Sequence, residues 1–164
     1  MWQDYLVVFV GYVFSLAFGH VLISRLVPTL WMVLGRGQSA DAEYLFRLPV
    51  LPEMVGILER MLYTSSLLIG RPEFIGLWLA LKVAGGWKGW SEPVKAPDGK
   101  IVINGRDLFS VFLIGSGFSI AYGVTGALLI GWLKDGNLVV AVMVPVALVL
   151  GTLAYLVWAR RHAR

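Results

Sequence analysis

The chain has 164 residues, of which 58% are hydrophobic and 15% charged, and its mean hydropathy is +0.76. A soluble domain carries roughly 45–50% apolar and about 25% charged residues, so a soluble globular fold is excluded, and the same apolar content excludes an intrinsically disordered chain. The formal net charge of +4, from 14 basic and 10 acidic residues, gains meaning only when each charge is assigned to a side of a bilayer.

A membrane-spanning helix needs about 20 predominantly apolar residues. The first such segment runs from Tyr5 to Val27, bounded by Asp4 and by Arg25 near its end. It is too long for a signal-peptide core and has neither a basic leader nor an evident cleavage site, so it is read as a span. Pro28 is expected to kink or end it, leaving Thr29–Leu34, with Trp31, in the interface before the polar stretch Arg36–Arg47.

Met54–Ile69 and Phe74–Trp87 form a pair around the turn Gly70-Arg71-Pro72-Glu73. At about 16 and 14 residues they are shorter than the usual 17–25. They also carry Glu59, Arg60 and Lys82, at a cost of roughly 2.5–3.5 kcal/mol for each charge at mid-helix. Two arrangements follow: a tilted hairpin of two spans, which is preferred, or a re-entrant element. Lys88 to Arg106 is a polar loop in which Asp98-Gly99 and Asn104-Gly105 flank Ile101-Val102-Ile103, the signature of a small β-hairpin. Leu108–Leu133 is the fourth span, Lys134-Asp135-Gly136-Asn137 a tight turn, and Leu138–Trp158, with Pro145 in its middle, the fifth. The expected fold class is an all-α polytopic transmembrane bundle of about five spans, a single integral membrane domain over residues 1–164.

Five spans put the termini on opposite sides. One face then holds ten basic residues: Arg25, Arg36 and Arg47 in or beside loop 28–53, Lys88, Lys95, Lys100 and Arg106 in loop 88–107, and Arg160, Arg161 and Arg164 in tail 159–164. The other face holds Arg71 and Lys134. The basic face is expected to be cytoplasmic, with the N-terminus outside and the C-terminus inside. Trp2, Trp31, Trp87, Trp90, Trp132 and Trp158 fall near span ends, as an aromatic belt requires.

Charges within spans usually face the protein interior and mark function more often than charges elsewhere. Glu59 lies about 12 residues before Arg71 and Lys82 about 11 after it, so at 1.5 Å per residue the two share a depth and can form an inter-helix ion pair. Helical side chains lean toward their own N-terminus, which offsets the two groups and makes Tyr63 an alternative partner for Lys82. Arg60, about 100° around the helix, is expected to snorkel toward the headgroups and Glu53. By the same depth argument His20, Ser116 and Thr152 join Glu59 and Lys82 in one inner-leaflet polar layer, where a histidine beside a carboxylate could relay protons. The plainer alternative is that the charges only fix hairpin register and that each polar group bonds locally.

Gly115, Ser119, Gly123, Ala127 and Gly131 recur at every fourth position of the fourth span, and Gly11, Ser15 and Gly19 do so in the first. Such stripes let helix backbones approach closely, the main packing device where lipid removes the hydrophobic drive. The two spans run in opposite directions and are expected to pair within the chain.

No cysteine is present, and the two histidines, His20 and His162, stand far apart without an H-E-x-x-H pattern or a carboxylate cluster, so no metal site is expected. A phosphate-binding G-x-x-x-x-G-K-[ST] loop is also missing. No cofactor is expected, and the dispersed basic residues read as topology signals rather than a nucleic-acid surface. Gly115-Ser116-Gly117 has the look of an intramembrane serine protease motif, but no later span supplies a histidine base.

Leu58-Glu59-Arg60, then Trp78 through Lys82, then Arg106-x-x-Phe109-x-x-Phe112-Leu113-Ile114-Gly115-Ser116 resembles a group of small, uncharacterised bacterial integral membrane proteins over roughly residues 54–120. The resemblance implies a bacterial inner-membrane location, brings no activity, and adds Arg106 to the residues of interest. The first function expected is a non-enzymatic component that binds or scaffolds lipid or another membrane protein. The second is a subunit of a small homo-oligomeric transporter or channel using the polar layer. A lipid-directed enzyme with Glu59 or His20 as acid–base ranks third, for want of a second catalytic group.

Overall fold

In the computed structural model the described residues are 2–33, 50–92, 94–95, 101–103 and 105–162. They form five helices: α1 (Trp2–Val33), α2 (Val50–Leu68), α3 (Glu73–Ser91), α4 (Gly105–Lys134) and α5 (Leu138–His162). A two-stranded antiparallel ribbon, β1 (Val94–Lys95) with β2 (Ile101–Ile103), precedes α4. The fold class is all-α, as expected, and the ribbon uses the Ile101–Ile103 strand that the turn signals marked. Three helices, α1, α4 and α5, are long and apolar enough to cross a membrane.

The helices outrun the apolar segments at most ends. α1 does not stop at Pro28 but continues to Val33. Proline removes one N–H, yet membrane helices tolerate it where nearby hydroxyls bond the backbone. Here Thr29 Oγ1 donates to the Arg25 carbonyl at 2.7 Å, and Ser24 Oγ donates to the Val21 carbonyl at 3.2 Å. Trp31 consequently sits in the core, only 8% exposed, rather than in an interfacial belt. Within α1, Phe14–Phe18 is a π-helical turn, an uncommon element that widens the helix locally.

The two tight turns share one solution. Gly70 and Gly136 have φ of 70° and 71°, a conformation that a residue with a Cβ adopts only at a cost. After α2, the Gly70 N–H bonds the Leu67 carbonyl and the Arg71 N–H bonds the Ser66 carbonyl. After α4, Gly136 bonds Leu133 and Asn137 bonds Trp132 in the same way. These are paired Schellman closures, and each reverses the chain into an antiparallel neighbour.

α4 is the central helix, packing against each of the other four. Contacts run Gly11 to Gly126, Gly19 to Tyr122 and Val27 to Gly115, so α1 and α4 are antiparallel. Arg60 meets Ser119 and Thr64 meets Gly123, so α2 and α4 are parallel. The main apolar cluster lies among α1, α4 and α5, around Phe14, Leu26, Leu30, Val111, Leu129 and Leu156.

The small-residue stripe on α4 does not serve a single partner. Gly11, Ser15 and Gly19 do face α4, as expected, but Gly11 and Ser15 close on Gly126, which lies off the stripe, and Gly19 on Tyr122. A Cβ on Gly126 would stand 2.7 Å from Ser15 Cβ and 2.8 Å from the Gly11 carbonyl oxygen. Gly123 and Ser119 turn instead toward α2, Ala127 is buried, Gly115 makes an ordinary contact with Val27, and nothing lies near Gly131. The cause is geometric: a repeat of four overshoots the 3.6-residue turn and drifts about 40° per step, so five such positions wrap onto different neighbours.

Candidate functional site

The charged residues of α2 and α3 converge on one face of α4. Lys82 Nζ lies 2.5 Å from Glu59 Oε1 and donates to Ser116 Oγ at 3.1 Å. Trp78 Nε1 donates to the same Glu59 oxygen at 3.0 Å. The ammonium also stands 4.6 Å from the centroid of the Phe112 ring, within cation–π range. The Glu59 side chain is 3% exposed and that of Lys82 is 22% exposed. Removing both charges from water is costly, and only close pairing with added hydrogen bonds offsets it. The expected ion pair is therefore present, and Tyr63 is not the partner of Lys82.

Helical spacing explains the convergence. Trp78 and Lys82 are one turn apart on α3, and Phe112 and Ser116 are one turn apart on α4, so each pair presents a single face. Sequence reasoning named Glu59, Lys82 and Ser116 as site residues but not Trp78 or Phe112. The i, i+4 relation of each to a named polar residue was the available signal.

Arg60 departs from expectation. It does not snorkel toward the headgroups or Glu53. It is 1% exposed and lies against Gly19 of α1, where a Cβ would come within 2.7 Å of its Cδ. Its side chain leans back toward Gly56, in keeping with the N-terminal tilt of helical side chains. Among the described residues its one hydrogen bond is a long one, from Nη1 to Ser119 Oγ at 3.4 Å. Nε and Nη2 are buried and unpartnered, as is the hydroxyl of Tyr63. The reason is steric: glycine at position 19 opens a space on α1 that admits the guanidinium to the bundle interior.

One turn further along α2, the Thr64 hydroxyl lies 2.9 Å from Ser15 Oγ and 3.0 Å from the Gly123 carbonyl oxygen, tying three helices. Tyr12 OH and Ser65 Oγ are 2.6 Å apart. Ser15, read as a packing residue, is thus also a hydrogen-bond partner, and it sits in the π-helical turn of α1.

Three residues of the expected polar layer stand apart. His20 is half-buried and makes no hydrogen bond or ion pair among the described residues. Thr152 donates to the Leu148 carbonyl at 2.8 Å and stands 2.9 Å from Tyr122 OH, which must then be the donor to it. That pair joins α5 to α4 and includes neither Glu59 nor Lys82. Arg106 is exposed in the first turn of α4, ten residues from Ser116, about 15 Å along the axis. A shared depth fixes only one coordinate; the direction around each helix separates His20 and Thr152 from Glu59 and Lys82, and Arg106 differs in depth.

The arrangement can hold a helical hairpin against α4 and can present hydrogen-bond donors to an acceptor. Comparison with protein-family models, with curated proteins and with solved structures returns no significant match for this chain.

Proposed function

We propose that the chain is a five-span protein of a bacterial inner membrane, N-terminus outside and C-terminus cytoplasmic, acting as a non-enzymatic component that binds or scaffolds lipid or another membrane protein. The observation that carries this reading is the consumption of the charged hairpin by its own packing. Both bonds recorded to Glu59 Oε1, from Lys82 and Trp78, come from α3, and Lys82 reaches on to Ser116 of α4. A carboxylate held in this way fixes helix rotation and register.

Helix dimensions support five spans. α2 and α3 have 19 residues each, about 28 Å of helix against a hydrocarbon core of about 30 Å. Ser65 pairs with Tyr12, and the turn at Arg71 is six residues beyond, so the hairpin tip reaches nearly the N-terminal end of α1. This favours a full hairpin over a re-entrant one. The distribution of basic residues, ten on one face and two on the other in this topology, supports the orientation. The resemblance over residues 54–120 supports the bacterial inner-membrane assignment.

The outward face is the binding surface of this reading. Only 17% of the spanning window of α5 is buried within the chain, and Val142, Met143, Val146, Leu150 and Val157 point away from the bundle. Native mass measurement in mild detergent tests it: a single chain carrying retained lipid, or a stoichiometric complex with a second membrane protein, is expected. A symmetric homo-oligomer free of lipid would favour the second reading, a transporter or channel subunit. That alternative has one observation in its favour, the incompletely bonded guanidinium of Arg60 within the bundle.

A further inference from the structure

Arg60 lies opposite Gly19 and Ser119, the middles of α1 and α4. It is the most deeply buried cation among the described residues, and no ion pair answers its charge. Glu59, the neighbouring acid, is bound to Lys82, and Arg60 has no ion pair among the described residues. Among the described residues the charges of this layer, one negative and two positive, sum to +1 in a helical interior. An uncompensated charge there is strongly destabilising, and such groups pair with a counter-charge.

The two unpartnered nitrogens are informative in their identity. Nε and Nη2 lie along the same edge of the guanidinium, the edge that grips a carboxylate with two parallel hydrogen bonds. Nη1, on the other edge, is the nitrogen occupied by Ser119. Gly19 lets the guanidinium lie directly against the α1 backbone, since a Cβ there would stand 3.0 Å from Nε. Tyr63, three residues further along the same face of α2 and 0% exposed, adds a second buried hydroxyl without a partner.

We infer that Arg60 is the anchor of a binding site for a monocarboxylate, held by Nε and Nη2 together, with the Tyr63 hydroxyl as an additional donor. One negative charge closes the +1 of the layer, whereas a doubly charged phosphate would overshoot it. The carboxylate belongs either to a fatty acid dissolved in the bilayer or to a small free acid, since both present the same two-oxygen edge. This site stands on the surroundings of Arg60 and is independent of the outward face of α5.

The test uses the full-length protein in phosphatidylcholine nanodiscs, with [1-13C]oleate and [1-13C]acetate as separate probes read by carboxyl 13C NMR. A protein-bound carboxyl resonance is expected. Its appearance with oleate alone assigns the site to a bilayer fatty acid, and its appearance with acetate as well assigns it to small carboxylates. Arg60→Gln is expected to weaken binding on the order of 30-fold or more, since hydrogen bonds to a charged group are lost. Arg60→Lys keeps the charge but not the fork, and is expected to bind at least about 5-fold more weakly. Should Arg60→Gln fail to fold by circular dichroism, the Arg60→Lys ratio decides. Absence of a bound resonance with either probe in the unsubstituted protein overturns the proposal, as does undiminished binding in the Arg60 variants.

Discussion

The seam between α1 and α4 gives a quantitative prediction. Gly126→Ala places a Cβ 2.7 Å from Ser15 Cβ and 2.8 Å from the Gly11 carbonyl oxygen. The second neighbour is backbone and cannot rotate away. An ordinary carbon contact needs about 3.5–4.0 Å, so the two helices must separate by roughly 0.8 Å or more along the line that also holds Gly11 and Gly19. Overpacking of this kind costs about 1–3 kcal/mol. Alanine also raises intrinsic helix propensity by about 0.8–1 kcal/mol over glycine, which would mask part of the loss. Gly131→Ala is the matched control, because it lies on the same helix with nothing within 4 Å. The difference between the two variants cancels the propensity gain and isolates the steric cost. Equilibrium unfolding by SDS in mixed micelles should therefore find Gly126→Ala less stable than Gly131→Ala by about 1–3 kcal/mol. Equal stabilities would refute the close approach of α1 and α4 at this point.

Two further predictions concern the hairpin. Lys82→Met strands the Glu59 carboxylate inside the bundle and should destabilise by about 3–5 kcal/mol, whereas Glu59→Gln/Lys82→Met should recover most of that loss because neither member of the pair is left charged without its partner. The same unfolding assay checks both, and a double variant as unstable as Lys82→Met would contradict the pairing. Thr64→Val keeps side-chain shape but removes the hydroxyl shared between Ser15 and Gly123; a loss of about 0.6–1.7 kcal/mol is expected, and Ser15→Ala should add little to it in the double variant.

Much of this fold was legible in the sequence because length and apolar composition decide membrane helices almost alone. The five helices, the turns at Gly70 and Gly136, and the strand at Ile101–Ile103 all follow from runs and breakers. The Glu59–Lys82 pair followed from nearly equal distances to Arg71. What escaped depended on direction around a helix axis. Arg60 was placed at the headgroups because the space that receives it comes from Gly19 on another helix. Gly126 was missed because it stands outside the regular stripe of fours, and Gly131 was included although it faces no neighbour. His20 and Thr152 share the depth of the charges but not their azimuth. Pro28 signalled a helix end, yet the hydroxyls of Ser24 and Thr29 accompany a helix that continues to Val33.

The account rests on a charged hairpin that crosses the whole bilayer and returns. The native chain contains no cysteine, so a single Glu73→Cys at the exposed tip is an unambiguous reporter. Labelling of intact cells with a membrane-impermeant maleimide should modify this cysteine from the same side as the N-terminus, without permeabilisation. Labelling that requires access from the cytoplasmic side, or that fails from both sides while the protein is folded, would contradict the five-span arrangement with its N-terminus outside.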